Sequence, residues 1–112
     1  MEIVQTELDG GVLCVALEGA LDIAGAADVD MPLSIVSGSR DKVIVDMSGV
    51  TFLASIGIRT LVKAARAIKN RGGALVLAGP DDAARKVLSS TGVDAIVPIA
   101  DDEADALARL NG

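Results

Sequence analysis

The sequence predicts a single α/β domain over residues 1–112, with a mixed, mostly parallel sheet and about four helices. Its length supports one domain, because 112 residues, about half of them apolar, suffice for one hydrophobic core and not for two. Residues 42–70 are typical of a buried strand followed by an amphipathic helix. Strand and helix patterns alternate from there to the C-terminus, which favours parallel strands joined by right-handed crossovers.

The first part of the chain predicts a hairpin and a helix. Strand-like runs at residues 3–8 and 12–18 flank an Asp-Gly-Gly sequence, which favours a tight antiparallel connection. Both faces of the second run are apolar, so we expect it to lie inside the sheet. Residues 24–37 then predict a helix that is kinked or restarted at Pro32, because proline lacks the backbone donor that a helix interior needs. The apolar residues of this segment are Ile23, Ala27, Met31, Leu33 and Ile35.

The strand and helix in the middle of the chain are the centre of the prediction. The strand has three consecutive apolar residues, which is typical of burial on both faces, and Asp46 follows at its carboxyl end. Ser48 and Gly49 indicate a turn, and Ser55 stands where a helix N-cap is expected. In the helix that follows, apolar residues recur at helical spacing, and Arg59 lies on the opposite, solvated face.

The last part of the chain predicts two short strands and two helices. Residues 74–78 form the first strand after a pair of glycines that end the central helix. Asp81 then caps a helix to about residue 90. A short strand follows at 96–99, and the acidic residues 101–103 begin the last helix. The residues that we expect to face inward from this helix are Ala104, Leu107 and Leu110.

Composition excludes several classes of partner and compartment. Sixteen acidic residues against ten basic ones give a formal net charge of −6, which disfavours contact with phosphate backbones, and Phe52 is the only aromatic residue available to stack on a base. No apolar run is long enough to span a bilayer, and the N-terminal residues lack the basic stretch of a signal peptide. Cys14 is the only cysteine, so no disulfide forms within the chain. We expect a cytoplasmic protein that neither binds nucleic acid nor inserts into a membrane.

The sequence also lacks the side chains of the common catalytic sites. It has no histidine, which excludes the Ser-His-Asp relay and, with a single cysteine, the usual zinc ligand sets. Neither of the phosphate-binding glycine motifs GxxxxGK[ST] and GxGxxG occurs. The acidic cluster at 101–105 lacks the EF-hand spacing and is typical of a charged first helical turn. We expect no catalytic residue, no metal ion and no cofactor.

Ser55 allows two interpretations. As an N-cap, its oxygen accepts a hydrogen bond from a backbone amide that the helix leaves free. Alternatively, its hydroxyl is an exposed functional group, left sterically open by Gly57, where a phosphate would meet free amides and the positive end of the helix dipole. Asp22 and Asp46 are likewise typical of a helix cap and of a turn.

Residues 46–58, DMSGVTFLASIGI, resemble the signature of the STAS-domain family, and in particular its bacterial anti-sigma factor antagonists. The GALD sequence at 19–22, the glycine-rich start of the strand at 72–77 and the STGV sequence near the last strand are similar to further motifs of the family. The resemblance therefore covers nearly the whole chain. Two positions depart from the common pattern, since Ala54 stands where many members have Asp, and Ile56 where many have Ser or Thr.

The resemblance implies a binding module. In such proteins the unphosphorylated form binds an anti-sigma factor that is also a serine kinase, phosphorylation by this kinase abolishes binding, and a serine phosphatase restores it. The phosphorylated residue corresponds to Ser55, the chain needs no cofactor of its own, and we expect a monomer or a weak dimer. From the open helix start around Ser55 and Gly57 and the connection after Leu21, we expect one partner-binding patch, formed by Asp22, Ser48, Ser55, Ile56, Gly57 and Arg59.

Two alternatives stay open. In one, the chain is the STAS subunit of a larger complex, such as a lipid-transport or stressosome-like assembly, and Ser55 is only a cap. In the other, the chain is a small α/β enzyme. A neighbouring gene for a kinase would favour the phosphorylation switch over the role as a complex subunit. Any measured catalytic turnover would favour the enzyme.

Overall fold

A five-stranded sheet forms the centre of the computed structural model, which describes all 112 residues. The strands follow one another across the sheet in chain order, and only the first pair is antiparallel. The prediction of a mixed, mostly parallel sheet with an N-terminal hairpin is confirmed. The strands are β1 (Glu2–Leu8), β2 (Val12–Leu21), β3 (Lys42–Leu53), β4 (Ala74–Ala78) and β5 (Ile99–Ala100).

Four helices cover the two faces of this sheet unequally. The first three connect successive parallel strands and pack on one face, where 22 buried residues form the larger core. The last helix crosses the opposite face and closes a smaller core of seven buried residues. None of the four helices combines the length and the apolar content that crossing a membrane requires. The helices are α1 (Ile23–Ser39), α2 (Ser55–Asn70), α3 (Asp82–Ser90) and α4 (Glu103–Asn111).

Burial on both faces explains why the central strands have no polar alternation. In β3, Val43 and Val45 face the larger core, whereas Ile44 between them faces α4, and all three are fully buried. Cys14 in β2 points to the same side as Ile44 and is also buried, as expected of a small core residue.

The predicted turn at Ser48 and Gly49 is wrong, because β3 continues through both residues to its end. Its second half pairs with the last residues of β2, to which the other parallel strands do not extend. A Cβ on Gly49 would lie 2.9 Å from the carbonyl oxygen of Leu17. The glycine therefore permits close approach of two strands and does not mark a turn.

Two further boundaries differ from the prediction. The predicted restart at Pro32 is wrong, since α1 is one continuous helix, and the buried Val29 and Leu33 on either side of the proline anchor both halves in the same core. The last strand is only two residues long and begins where residues 96–99 were predicted to end. In α4, Leu107 and Leu110 pack against the smaller core as predicted, whereas Ala104 is exposed and Ala106 is the fully buried alanine.

Candidate functional site

The N-termini of α1 and α2 lie side by side at the carboxyl edge of the sheet. Strands β2 and β3 end at Leu21 and Leu53, which are paired directly, and each strand is followed by one residue and then a helix. The amide of Ala54 donates to the carbonyl of Leu21 over 3.0 Å and ties the two connections together. This edge is where sites form in open α/β sheets, because two positive helix ends point to the same region.

The start of α1 is closed by its own side chain. Asp22 has the extended backbone of an N-cap, and its carboxylate accepts a hydrogen bond of 2.9 Å from the amide of Gly25. The interpretation of Asp22 as a helix cap is confirmed. The second carboxylate oxygen makes no hydrogen bond within the chain and is available to a partner.

The start of α2 is open, and the prediction of Ser55 as its N-cap is wrong. The cap position belongs to Ala54, which is extended and whose carbonyl accepts the first helical hydrogen bond, from Ile58 over 3.1 Å. Ser55 is therefore the first residue inside the helix, and its exposed hydroxyl forms no hydrogen bond. Because alanine has no side-chain acceptor, the amides of the first turn are left without a cap.

Gly57 is buried, contrary to the expectation of an open position on the surface. A Cβ at Gly57 would lie 2.5 Å from the Cγ of Leu21 and 2.7 Å from its carbonyl oxygen. Gly25 has the same place in α1, where a Cβ would lie 2.1 Å from the carbonyl oxygen of Ala20. Both glycines are the third residue of their helix and let it lie against the end of a strand. The sequence analysis did not single out Gly25. Its position relative to the N-cap Asp22 is nevertheless the same as that of Gly57 relative to the N-cap Ala54.

A groove of about 400 Å³ continues from this edge between α1 and α2. Ile23 stands at its α1 side with 79% of its surface exposed. Ile56 and Arg59 stand at its α2 side, and the exposed Arg59 forms no ion pair. The structure thus brings Ser55, Ile56 and Arg59 onto one turn of α2, beside the first turn of α1.

Ser48 lies apart from this group. It is exposed in the middle of β3, where its amide donates to the carboxylate of Asp46 over 2.9 Å. At about 3.3 Å per residue, the five residues from Ser48 to the end of the strand span roughly 16 Å. Its neighbour across the sheet is Gly79, on which a Cβ would lie 3.5 Å from the Cβ of Ser48. Ser48 thus lies in the middle of β3, away from the strand end that leads to Ser55.

Comparison with known proteins places the chain among others of the same fold. The sequence model of the STAS domain family matches residues 4–106. The chain belongs to the STAS domain family. It is 25% identical over 109 residues to the anti-sigma F factor antagonist of Paenibacillus polymyxa, covering 96% of this chain and 93% of that one.

Two solved structures have the same architecture as this chain. An anti-sigma factor antagonist from Mycobacterium paratuberculosis superposes with a TM-score of 0.85 at 23% identity, over 99% of this chain and 94% of the other. The Bacillus cell fate determinant SpoIIAA in its phosphorylated form superposes with a TM-score of 0.74 at 20% identity, over 96% and 98% of the two chains. Because both identities are below 25%, these two similarities support the fold alone.

One group of potential metal ligands converges in this STAS domain, on the α4 side of the sheet. Atoms of Cys14, Asp46 and Glu103 lie within 4.8 Å of one another, although these residues are far apart in the sequence. Burial, together with the carboxylates of Glu103 and Asp46, raises the pKa of the Cys14 thiol to about 12. The thiol therefore stays protonated at neutral pH and donates to Glu103 over 3.7 Å. The hydrogen bond between the thiol and the carboxylate accounts for this contact, and we assign no metal to the group.

Proposed function

We propose that this STAS domain is an anti-sigma factor antagonist and that Ser55 is its regulatory phosphorylation site. The observation that carries the proposal is the free, exposed hydroxyl of Ser55 at the uncapped start of α2. A kinase can reach this hydroxyl without breaking a hydrogen bond of the domain. The proposal is supported by the similarity to the anti-sigma F factor antagonist of Paenibacillus polymyxa over almost the full length of both chains.

The unphosphorylated domain binds an anti-sigma factor that is also a serine kinase, and thereby frees a sigma factor. The contact is centred on the first turn of α2, where Ser55, Ile56 and Arg59 offer a hydroxyl, an apolar side chain and an unpaired positive charge. Asp22 contributes from the start of α1. Gly57 acts through the backbone, since its burial against β2 fixes the position of this turn.

Phosphorylation switches the binding off through local electrostatics. A phosphate on Ser55 adds about 1.5 to 2 negative charges and must lose part of its hydration if the kinase is to dock. Within the free domain it is stabilised by the uncapped amides of α2 and by Arg59, one helical turn along the same face. The phosphate is thus stabilised in the free domain and weakens the complex with the kinase, without a change of fold.

The remaining components belong to other chains. The kinase supplies ATP and magnesium, and a serine phosphatase removes the phosphate from Ser55. The domain itself acts as a binding module and supplies no catalytic group. Since sigma factors act on RNA polymerase, the exchange takes place in the cytoplasm.

The proposal is tested with the candidate kinase encoded nearest to this chain. After incubation with kinase and ATP, mass spectrometry should find one phosphate, on Ser55. In titration calorimetry, Ser55→Ala should bind the kinase like the unmodified protein, whereas Ser55→Asp should bind at least tenfold more weakly, which is about 1.4 kcal/mol. Ser89→Asp is the matched control, because it adds the same charge at an exposed serine near the C-terminus of α3, outside every proposed contact, and should bind normally.

The alternative of a non-phosphorylated subunit in a larger complex gives a different result. In that case Ser55→Asp and Ser55→Ala bind their partner with equal affinity, and no phosphate is incorporated. Equal affinities would reject the switch at Ser55.

A further inference from the structure

Helix α1 has an apolar outer face that no other part of the chain covers. Ile23, Met31 and Ile35 are 79%, 68% and 63% exposed, and Ala27 between them is exposed as well. The four residues follow one another at intervals of four and form one stripe along the helix, here called the α1 stripe. It lies opposite the face that carries the buried Val29 and enters the larger core.

The other long helix of the same layer has no such face. The outer side of α2 carries exposed charged residues at helical spacing, as expected for contact with water. Contiguous apolar surface of this kind marks an interaction site in soluble proteins. The exposed charged residues on the outer side of α2 are Arg59, Lys63, Arg66 and Lys69.

We propose that the α1 stripe is the interface for a second copy of this chain, with the two α1 helices packed antiparallel. The pattern of the stripe is self-complementary, which a two-fold interface requires. When two such helices run in opposite directions, Ile23 of one faces Ile35 of the second copy at both ends. At the centre, Ala27 of one faces Met31 of the second copy, so that a small side chain meets a long, flexible one and the helices can approach closely.

The charges along the stripe permit this pairing although the chain is acidic overall. Two copies, each with a formal net charge of −6, repel one another unless the acids at the contact are neutralised. Asp28 on one flank pairs with the N-terminal amine over 2.9 Å, and Asp30 on the other flank pairs with Lys63 over 3.7 Å. Arg59, which has no partner within the chain, lies in the same groove as Asp30 and is free to meet Asp30 of the second copy.

The stripe is small for a protein interface. It consists of four side chains on one helix, whereas a standard stable interface buries about 800 Å² per partner. We therefore expect a weak, concentration-dependent dimer. An unrelated protein partner on the stripe would instead leave the isolated chain monomeric.

Sedimentation equilibrium of the full chain between about 10 μM and 1 mM tests the proposal. The average mass should rise from one chain towards two with concentration. Met31→Glu and Ile35→Lys should each raise the dissociation constant at least tenfold, whereas Val4→Glu, at a residue that is 53% exposed on β1, should leave it unchanged. A constant monomer mass at all concentrations, or dimers that both stripe variants leave intact, would overturn the proposal.

The antiparallel orientation has its own test. Chains carrying Ile23→Cys and chains carrying Ile35→Cys, mixed under mild oxidation, should form the mixed disulfide faster than either variant joins to itself. The native Cys14 does not interfere, because it is buried. If Ile23→Cys chains join to themselves faster than the mixture forms, the antiparallel arrangement is wrong.

Discussion

Gly57 in α2 lies so close to Leu21 at the end of β2 that a Cβ on the glycine would come within 2.5 Å of the Cγ of Leu21. Leu21 is fully buried, and its carbonyl oxygen accepts from the amide of Ala54. The side chain and the carbonyl are both held in place, so neither can move aside cheaply. The position of the first turn of α2, and with it the direction of the Ser55 hydroxyl, depends on this contact.

Replacing Gly57 by alanine should therefore destabilise the domain. We expect a loss of about 1 to 3 kcal/mol in the free energy of unfolding, the usual cost of overpacking a filled site. Urea denaturation measures it. Gly38→Ala is the matched control, because Gly38 also lies in a helix but has open space around it, and alanine there should stabilise by about 0.5 to 1 kcal/mol. Equal effects of the two changes would show that the Leu21 contact is unimportant.

The buried thiol of Cys14 should make stability depend on alkaline pH. Burial raises its pKa to about 12 in the folded protein, against about 8.5 in an unfolded chain. A raised pKa means that the folded state holds the proton more tightly, so this contribution is complete below about pH 8.5 and is lost as the pH rises towards 12. Between pH 8 and 10, Cys14→Ala should lose less stability than the unchanged protein, as measured by urea denaturation. Rapid labelling of Cys14 by a thiol reagent in the folded state at pH 8 would contradict its burial.

The order of the elements was predictable because it rests on features that repeat. Burial of β3 on both faces follows from its unbroken apolar run, and the alternation of strands and helices favours parallel pairing. The buried face of α1 was harder to predict, because Ile23 and Met31 are as apolar as the buried Val29 and Leu33. Periodicity does not tell which of two apolar faces enters the core.

The start of α2 was predicted to within one residue, but the identity of its N-cap was not. Serine is a better N-cap than alanine, so propensity favours Ser55 at the cap and moves the helix by one residue. The structure instead has Ala54 there, because its amide is bound by the carbonyl of Leu21 on the neighbouring strand. Gly57 was misplaced for the same reason, since contact with β2 comes from tertiary packing that local sequence does not record.

Stability measurements on Ser55 should reflect its place inside the helix. Since its hydroxyl makes no hydrogen bond, Ser55→Ala should change the free energy of unfolding by no more than about 0.5 kcal/mol. Ser55→Asp should stabilise by about 0.3 to 1 kcal/mol at low salt, because a negative charge is favourable in the first turn of a helix, and added salt should reduce this gain. Ser89→Asp, near the C-terminus of α3, should have the opposite sign. A loss of about 1 kcal/mol in Ser55→Ala would restore the cap interpretation.

Asp22 separates the structural role of a side chain from its role in partner binding. Asp22→Ala removes the hydrogen bond to the amide of Gly25 and should cost about 1 kcal/mol in the free energy of unfolding. Asp22→Asn should keep the capping hydrogen bond, because asparagine caps as well as aspartate, but it removes the negative charge and with it about 0.3 to 1 kcal/mol at low salt. If Asp22 also contacts the kinase, Asp22→Asn should bind it at least tenfold more weakly in titration calorimetry while remaining fully folded. Unchanged affinity of this stable variant would limit Asp22 to capping α1, and would confine the binding surface to the first turn of α2.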